Sequence, residues 1–231
     1  MEHLEAHNPQ LVNQADLPAV GSMIEVLSWR NRGYVHAMMT SLRARFPWVE
    51  FDSSNYGEGG ANSTQVLDNI NAVEVAQTWD LAMFGCGIND VWREFQGRLT
   101  EAVDFESYDK NIRAALDILR AFPAVVVIGE PPIGWDPQID AAAANRELAR
   151  YNQRAQRAAT DADVPFISLW ERFIYAGACM GWSVANPAAP ALGKDTLWSD
   201  GVHLSELGDQ LVRDEIEHHL TERRSISRLL T

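Results

Sequence analysis

The sequence predicts a three-layer αβα sandwich built on a parallel, flavodoxin-like sheet of about five strands. Three observations carry this expectation. Short apolar runs alternate along the chain with longer segments of helical period. The clearest run, AVVVIG at Ala124–Gly129, is continuous and rich in β-branched residues, as expected of a central strand buried on both faces. The 231 residues, 46% of them hydrophobic, suffice for one full core, with no internal repeat or low-complexity linker.

Each element has its own signal. A first strand is expected at Leu17–Val20, weakened by Pro18, which lacks a ladder donor. Gly33–Phe46 places Tyr34, Val35, Met38, Met39 and Leu42 at helical spacing. Trp48–Asp52 (WVEFD) alternates apolar and polar residues, as an edge strand does. Leu81–Gly85 (LAMFG) reads as a buried strand, and Tyr108–Phe122 as a helix with Ile112, Ala115, Leu116 and Leu119 on one stripe. After Ala124–Gly129 come an Ala/Arg-rich helix at Ala141–Ala162, a strand at Val164–Leu169 and a closing helix at Ser205–Leu220. Residues 17–222 then form the domain. Residues 1–16 are expected to be an N-terminal extension or expression remnant, and 223–231 a tail.

Composition narrows the function. Nineteen basic residues against 32 acidic ones give a net charge of −13. Nucleic acids and anionic membranes are poor partners for such a chain, since both need clustered Lys and Arg. Lysine is confined to Lys110 and Lys194. Two cysteines, Cys86 and Cys179, make no disulfide framework, and Cys86 reads as a buried small hydrophobe. No apolar run approaches the ~20 residues of a membrane span, and the polar Met1–Gln10 lacks the core of a signal peptide. The default expectation is a cytoplasmic protein, with secretion open if a signal was removed. Oligomeric state is not legible.

Chemistry collects in four segments. Gly21-Ser22-Met23-Ile24-Glu25, Asn55–Ser63 (NYGEGGANS) and Gly85–Asp90 (GCGIND) each follow an expected strand, and Asp200-Gly201-Val202-His203 precedes the last helix. Taken singly, each has an ordinary explanation. Ser22 could be a helix cap, the glycines a tight turn, Asn89-Asp90 a capping pair and His203 a surface residue. In a parallel sheet, however, the three strand-end segments share one edge, where ligands bind. Ester hydrolysis needs a hydroxyl nucleophile, a base, a carboxylate that fixes the base's tautomer, and donors for the oxyanion. The four segments supply these groups, and Asp200 and His203 lie within one turn of each other.

In this order the segments resemble the four sequence blocks of the SGNH hydrolase superfamily, the GDSL-type lipases and esterases. The resemblance runs from about Gly21 to Leu220. GINDVW at Gly87–Trp92 is similar to the G-x-N-D block, SDGVHLSELG at Ser199–Gly208 to the D-x-x-H block, and GYVHAMMTSL to the first helix of many members. In the second block a glycine follows the asparagine by five positions, which selects Gly60.

The resemblance implies Ser22 as nucleophile and oxyanion donor, Gly60 and Asn89 as further oxyanion donors, His203 as general base and Asp200 as its orienting carboxylate. It also implies a small or short-chain ester substrate, with acetylated carbohydrates among the candidates, and neither metal nor organic cofactor. The first block departs from the usual G-D-S. Matching Ser22 and Glu25 to the family's serine and glutamate replaces the aspartate by Gly21, and we adopt that alignment. The competing one puts Met23 at the nucleophile position and describes a catalytically silent domain that binds a glycan or acyl group.

Among the tryptophans, Trp135 and Trp198 are the candidates for substrate contact. Gly177–Gly193, rich in Ala, Gly and Pro, is expected to be an insertion near the site. A flavodoxin-like anion binder using Gly57–Gly60 fits less well, because that loop matches no phosphate-binding pattern. A metal hydrolase lacks the H-E-x-x-H face, and His218 and His219 are expected to be exposed.

Overall fold

A computed structural model describes residues 33–73, 79–187 and 196–222. Among these residues the elements run α1 (Tyr34–Arg45), α2 (Ser63–Ala72), β1 (Leu81–Phe84), α3 (Ile88–Phe95), α4 (Phe105–Leu119), β2 (Ala124–Ile128), α5 (Ala141–Asp161), β3 (Phe166–Ile167), α6 (Trp170–Cys179) and α7 (Glu206–Glu222). The strands form one parallel sheet in the order β1-β2-β3, with Leu81 opposite Ala124 and Val127 opposite Phe166.

The three layers follow from the pleat. Successive side chains of a strand point to opposite faces. Val125 and Val127 accordingly pack with α3, α4 and α5, through Val91, Ile112, Leu116 and Leu148. Val126 packs the other way with α1, α6 and α7, through Met38, Phe173, Val212 and Ile216. The apolar run at 124–128 is thus covered on both sides, as expected.

Most predicted elements are present with small changes of boundary. The sheet differs in strand number: it has three strands among the described residues rather than five. The expected strand at Leu17–Val20 lies outside the described residues. Trp48–Asp52 is not a strand. Val49 N–H turns back to Phe46 O at 3.0 Å, and Phe51 O accepts from the Arg43 guanidinium at 2.8 Å, so both groups are spent on local contacts instead of a ladder. β3 is short because Pro165 contributes an acceptor to Val127 N–H at 2.9 Å but has no N–H to return. The helices α2, α3 and α6 are additional to the elements expected from the sequence. Gly177–Cys179 ends α6, so the expected insertion begins later than predicted, and its residues 188–193 lie outside the described residues.

Candidate active site

The Asp200–His203 loop is a closed turn on buried anchors. Trp198 and Leu204 form an antiparallel bridge, and Ser199 N–H donates to His203 O at 2.9 Å. Inside the turn, Asp200 Oδ1 accepts the backbone N–H groups of Val202 and His203 at 3.1 and 2.8 Å. Its other oxygen, Oδ2, meets His203 Nδ1 at 2.6 Å. Partial burial opposes the charge on Asp200. The hydrogen bonds from the imidazole, His203 N–H and Val202 N–H, together with the imidazole's charge, outweigh that opposition and hold the carboxyl well below its ordinary range. An ionised carboxylate on Nδ1 fixes the tautomer with the proton on that nitrogen and leaves the lone pair on Nε2, the state a general base requires.

This turn is docked on the loop that follows β2. Gly201 O accepts Gly134 N–H at 2.7 Å and Trp135 N–H at 3.3 Å. Gly201 has φ +101°, and a Cβ there would lie 1.5 Å from Trp135 O. Glycine is therefore required by backbone conformation and by contact alike. The post-β2 loop is in turn gripped by α5. Asn152 accepts from Glu130 N–H and donates to Glu130 O, both at 2.8 Å, and Asn145 makes the same pair of 2.8 Å bonds with Ile133. Seven residues apart, these asparagines share the buried face of α5 with Leu148 and Ala155. Polar residues inside an apolar stripe were the available signal for them.

The oxyanion candidates lie on the segments before α2 and at the start of α3. Gly60 has φ +78° in the turn before α2. Asn89, buried in the first turn of α3, donates Nδ2–H to Ala61 O at 2.9 Å, which orients the amide carrying its second N–H. The neighbouring Asp90 is wholly buried and accepts from Ser63 N–H and Ser63 Oγ. Desolvation pushes its carboxyl up to about 6 against those hydrogen bonds. Glu130, also buried, is pushed up to about 7 by desolvation and the nearby Asp90, although it accepts Ile88 N–H at the start of α3. Trp92 Nε1–H donates to Asp136 at 2.8 Å. An unbroken series of contacts thus runs from the Gly60 turn through α3 and the post-β2 loop to His203.

Other predicted residues fall as follows. Ser22, and with it Gly21 and Met23, lies outside the described residues. Trp135 is half-buried beside Gly201. Trp198 is corrected: it is 1% exposed, rests against Trp182 at 4.6 Å between ring centroids and donates its indole N–H to Pro132 O at 3.1 Å. It supports the loop from below and offers no face to a ligand. Cys86 is buried as expected, and burial raises its thiol well above the ordinary value. His218 is exposed, whereas His219 is largely covered and lies 3.4 Å from Glu215. Among the described residues, no group of three or more His, Cys, Asp or Glu is placed to hold a metal ion. None of the described helices is long and apolar enough to cross a membrane.

The parallel α/β fold thus brings an Asp–His pair and a buried Asn to adjoining loops. The chain matches the GDSL-like Lipase/Acylhydrolase family over residues 19–211 and belongs to that family. It is a carboxylic ester hydrolase. Similar solved structures include Axe2, an acetylxylan esterase from Geobacillus stearothermophilus, at TM-score 0.68 and 18% identity over 84% of each chain. LAE5, an alpha/beta hydrolase enzyme from the metagenome of Lake Arreo, Spain, aligns at TM-score 0.66 and 18% identity over 92% of this chain and 89% of its own. None of the curated proteins matches.

Proposed function

We propose that the protein is a serine esterase acting on small or short-chain acyl esters, acetylated carbohydrates among them, through an acyl-enzyme. The observation that carries this reading is the 2.6 Å contact between His203 Nδ1 and an ionised Asp200, which makes Nε2 a base of fixed orientation. Ser22 supplies the hydroxyl. Its oxygen attacks the ester carbonyl while His203 Nε2 takes the proton. The tetrahedral oxyanion receives hydrogen bonds from the backbone N–H groups of Ser22 and Gly60 and from Asn89 Nδ2. Collapse breaks the bond to the alcohol, to which His203 returns the proton. Water, deprotonated by the same imidazole, then releases the acid. The acetyl preference is supported by the structural likeness to Axe2, an acetylxylan esterase.

Ser22→Ala tests the assignment. Purified wild type should hydrolyse p-nitrophenyl acetate and butyrate and be labelled by a fluorophosphonate. The variant should lose about 10⁴-fold or more in kcat, as when a hydrolase triad loses its nucleophile. Equal activity of the two proteins, or inertness of both, removes Ser22 as nucleophile and makes the domain a ligand binder.

A further inference from the structure

The two oxyanion donors outside the nucleophile's own segment, Gly60 and Asn89, come from chain segments 29 residues apart. A hole assembled from separate loops works only if their spacing is fixed, since donors must lie about 2.7–3.1 Å from the oxyanion. Asn89 makes one link itself, to Ala61 O at 2.9 Å. That bond employs the same amide that must serve the substrate, so something else has to hold the frame.

Asp90 supplies that hold. It is fully buried, and besides its own backbone N–H it accepts both the N–H and the hydroxyl of Ser63. Ser63 N–H lies 3.1 Å from Asp90 Oδ1 and 3.0 Å from Oδ2, and Ser63 Oγ donates to Oδ1 at 2.5 Å. Ser63 N–H is the first amide of α2, one of the helix-start donors without an intrahelical acceptor. The start of α2 is thus capped twice: locally by Asn62, which accepts Gln65 N–H at 3.1 Å, and across the chain by Asp90. Asn111 Nδ2–H donates to Ser63 Oγ at 3.0 Å, which leaves the hydroxyl hydrogen for Asp90. Residues 61 and 63 are therefore held by the consecutive residues 89 and 90, immediately after Gly60. Burying a carboxylate is costly unless its bonds are needed. Here they bind the Gly60 turn to α3.

We propose that Asp90 is a positioning residue of the oxyanion hole, locking the Gly60–Ser63 segment onto α3 so that the Gly60 N–H and the Asn89 amide keep one fixed separation. This rests on the esterase reading above. The reacting atoms do not touch Asp90, which acts through Ser63 and Asn89.

The experiment is a double-mutant cycle on the full chain. Wild type, Asp90→Asn, Asn89→Ala, the double variant and Ser22→Ala are assayed for kcat and KM on p-nitrophenyl acetate, with active sites titrated by fluorophosphonate. Asp90→Asn keeps the shape, but in either orientation its NH₂ meets a Ser63 donor: the N–H 3.0 Å from the Oδ2 position, or the hydroxyl 2.5 Å from the Oδ1 position. The expected result is a fall in kcat of about 10- to 100-fold with KM changed less than twofold, the size of effect that follows misplacement by about 1 Å. In the Asn89→Ala background the same substitution should cost less than about threefold, because one of the two donors whose separation it fixes is gone. Ser63→Ala, which removes the Oγ contact and keeps the N–H, should move kcat the same way by a smaller factor, and it serves if Asp90→Asn does not fold. An unchanged kcat per titrated site, or a full loss repeated in the Asn89→Ala background, overturns the proposal while an inactive Ser22→Ala leaves the esterase reading intact. An active Ser22→Ala, or an inert wild type, overturns the esterase reading and the positioning role with it.

Discussion

Replacing Gly201 by alanine tests how the His203 turn is held. The new Cβ would stand 1.5 Å from Trp135 O and 2.6 Å from its carbonyl carbon, where side chains essentially never approach closer than 3.0 Å. The two loops must therefore separate by about 1.5 Å, a shift set by packing and not by side-chain rearrangement. The Gly134 N–H···O contact of 2.7 Å and the Trp135 contact of 3.3 Å would both be lost. Two backbone hydrogen bonds at about 1 kcal/mol each, plus about 1–2 kcal/mol for alanine at positive φ, sum to about 3–4 kcal/mol. Gly97→Ala is the internal control. Its φ is +75° but a Cβ there meets nothing within 4 Å, so it carries the conformational cost of about 1–2 kcal/mol alone. Urea denaturation of both variants measures the difference directly. Activity adds a second readout, since displacement of His203 by more than 1 Å should lower kcat by about 100-fold or more in Gly201→Ala and leave Gly97→Ala near wild type. Equal destabilisation of the two variants, with Gly201→Ala still active, would refute the docking of this turn on the post-β2 loop.

Two further predictions concern buried groups. The Glu130 carboxyl is raised from 4.5 to about 7, so the native state binds its proton more tightly than the unfolded chain, and stability falls as pH climbs from about 4.5 through 7. Glu130→Gln should therefore stabilise the protein by up to about 3 kcal/mol more at pH 8 than at pH 5, read from urea midpoints at each pH; an equal effect at both would refute an ionisable, desolvated Glu130. Trp198→Ala should cost about 3–5 kcal/mol of stability and leave KM of the folded fraction unchanged, whereas near-wild-type stability with a raised KM would return Trp198 to the substrate pocket.

What the sequence revealed followed physical range. β2 was legible because five consecutive apolar residues buried on both faces leave a local mark, and α5 because its long run rich in Ala and Arg favours helix by intrinsic propensity. Asp200 and His203 were legible because their interaction spans one turn. Asn89 stood out through the motif around it, but its partner Ala61 did not, since a contact between residues 28 positions apart has no signature in one sequence. Trp198 was misread for a related reason. An aromatic residue beside a candidate histidine looks the same whether it lines the cleft or anchors the loop, and only its contacts with Trp182, Phe173 and Pro132 distinguish the two. The WVEFD segment has strand alternation, yet alternation describes side chains and says nothing about whether a neighbour completes the ladder.

The site is held together chiefly by hydrogen bonds between loops, and there is a physical reason for that. Apolar packing is non-directional and tolerates small slides, so the core can place the strand ends without fixing donors to a few tenths of an ångström. Asp90 on Ser63, Asn145 and Asn152 on the post-β2 backbone, and Gly201 O on Gly134 each specify a distance and a direction. The cost appears as two buried carboxyls, Asp90 and Glu130, whose ionisation burial disfavours. Asp90 follows Asn89 in the first turn of α3, and Glu130, on the loop after β2, accepts Ile88 N–H from the same turn; in the mechanism we propose, this is where a small error in position costs most in rate. Stability is given up where geometry has to be exact for chemistry, and the remainder of the core, with its Val, Leu, Ile and Ala side chains, carries the fold.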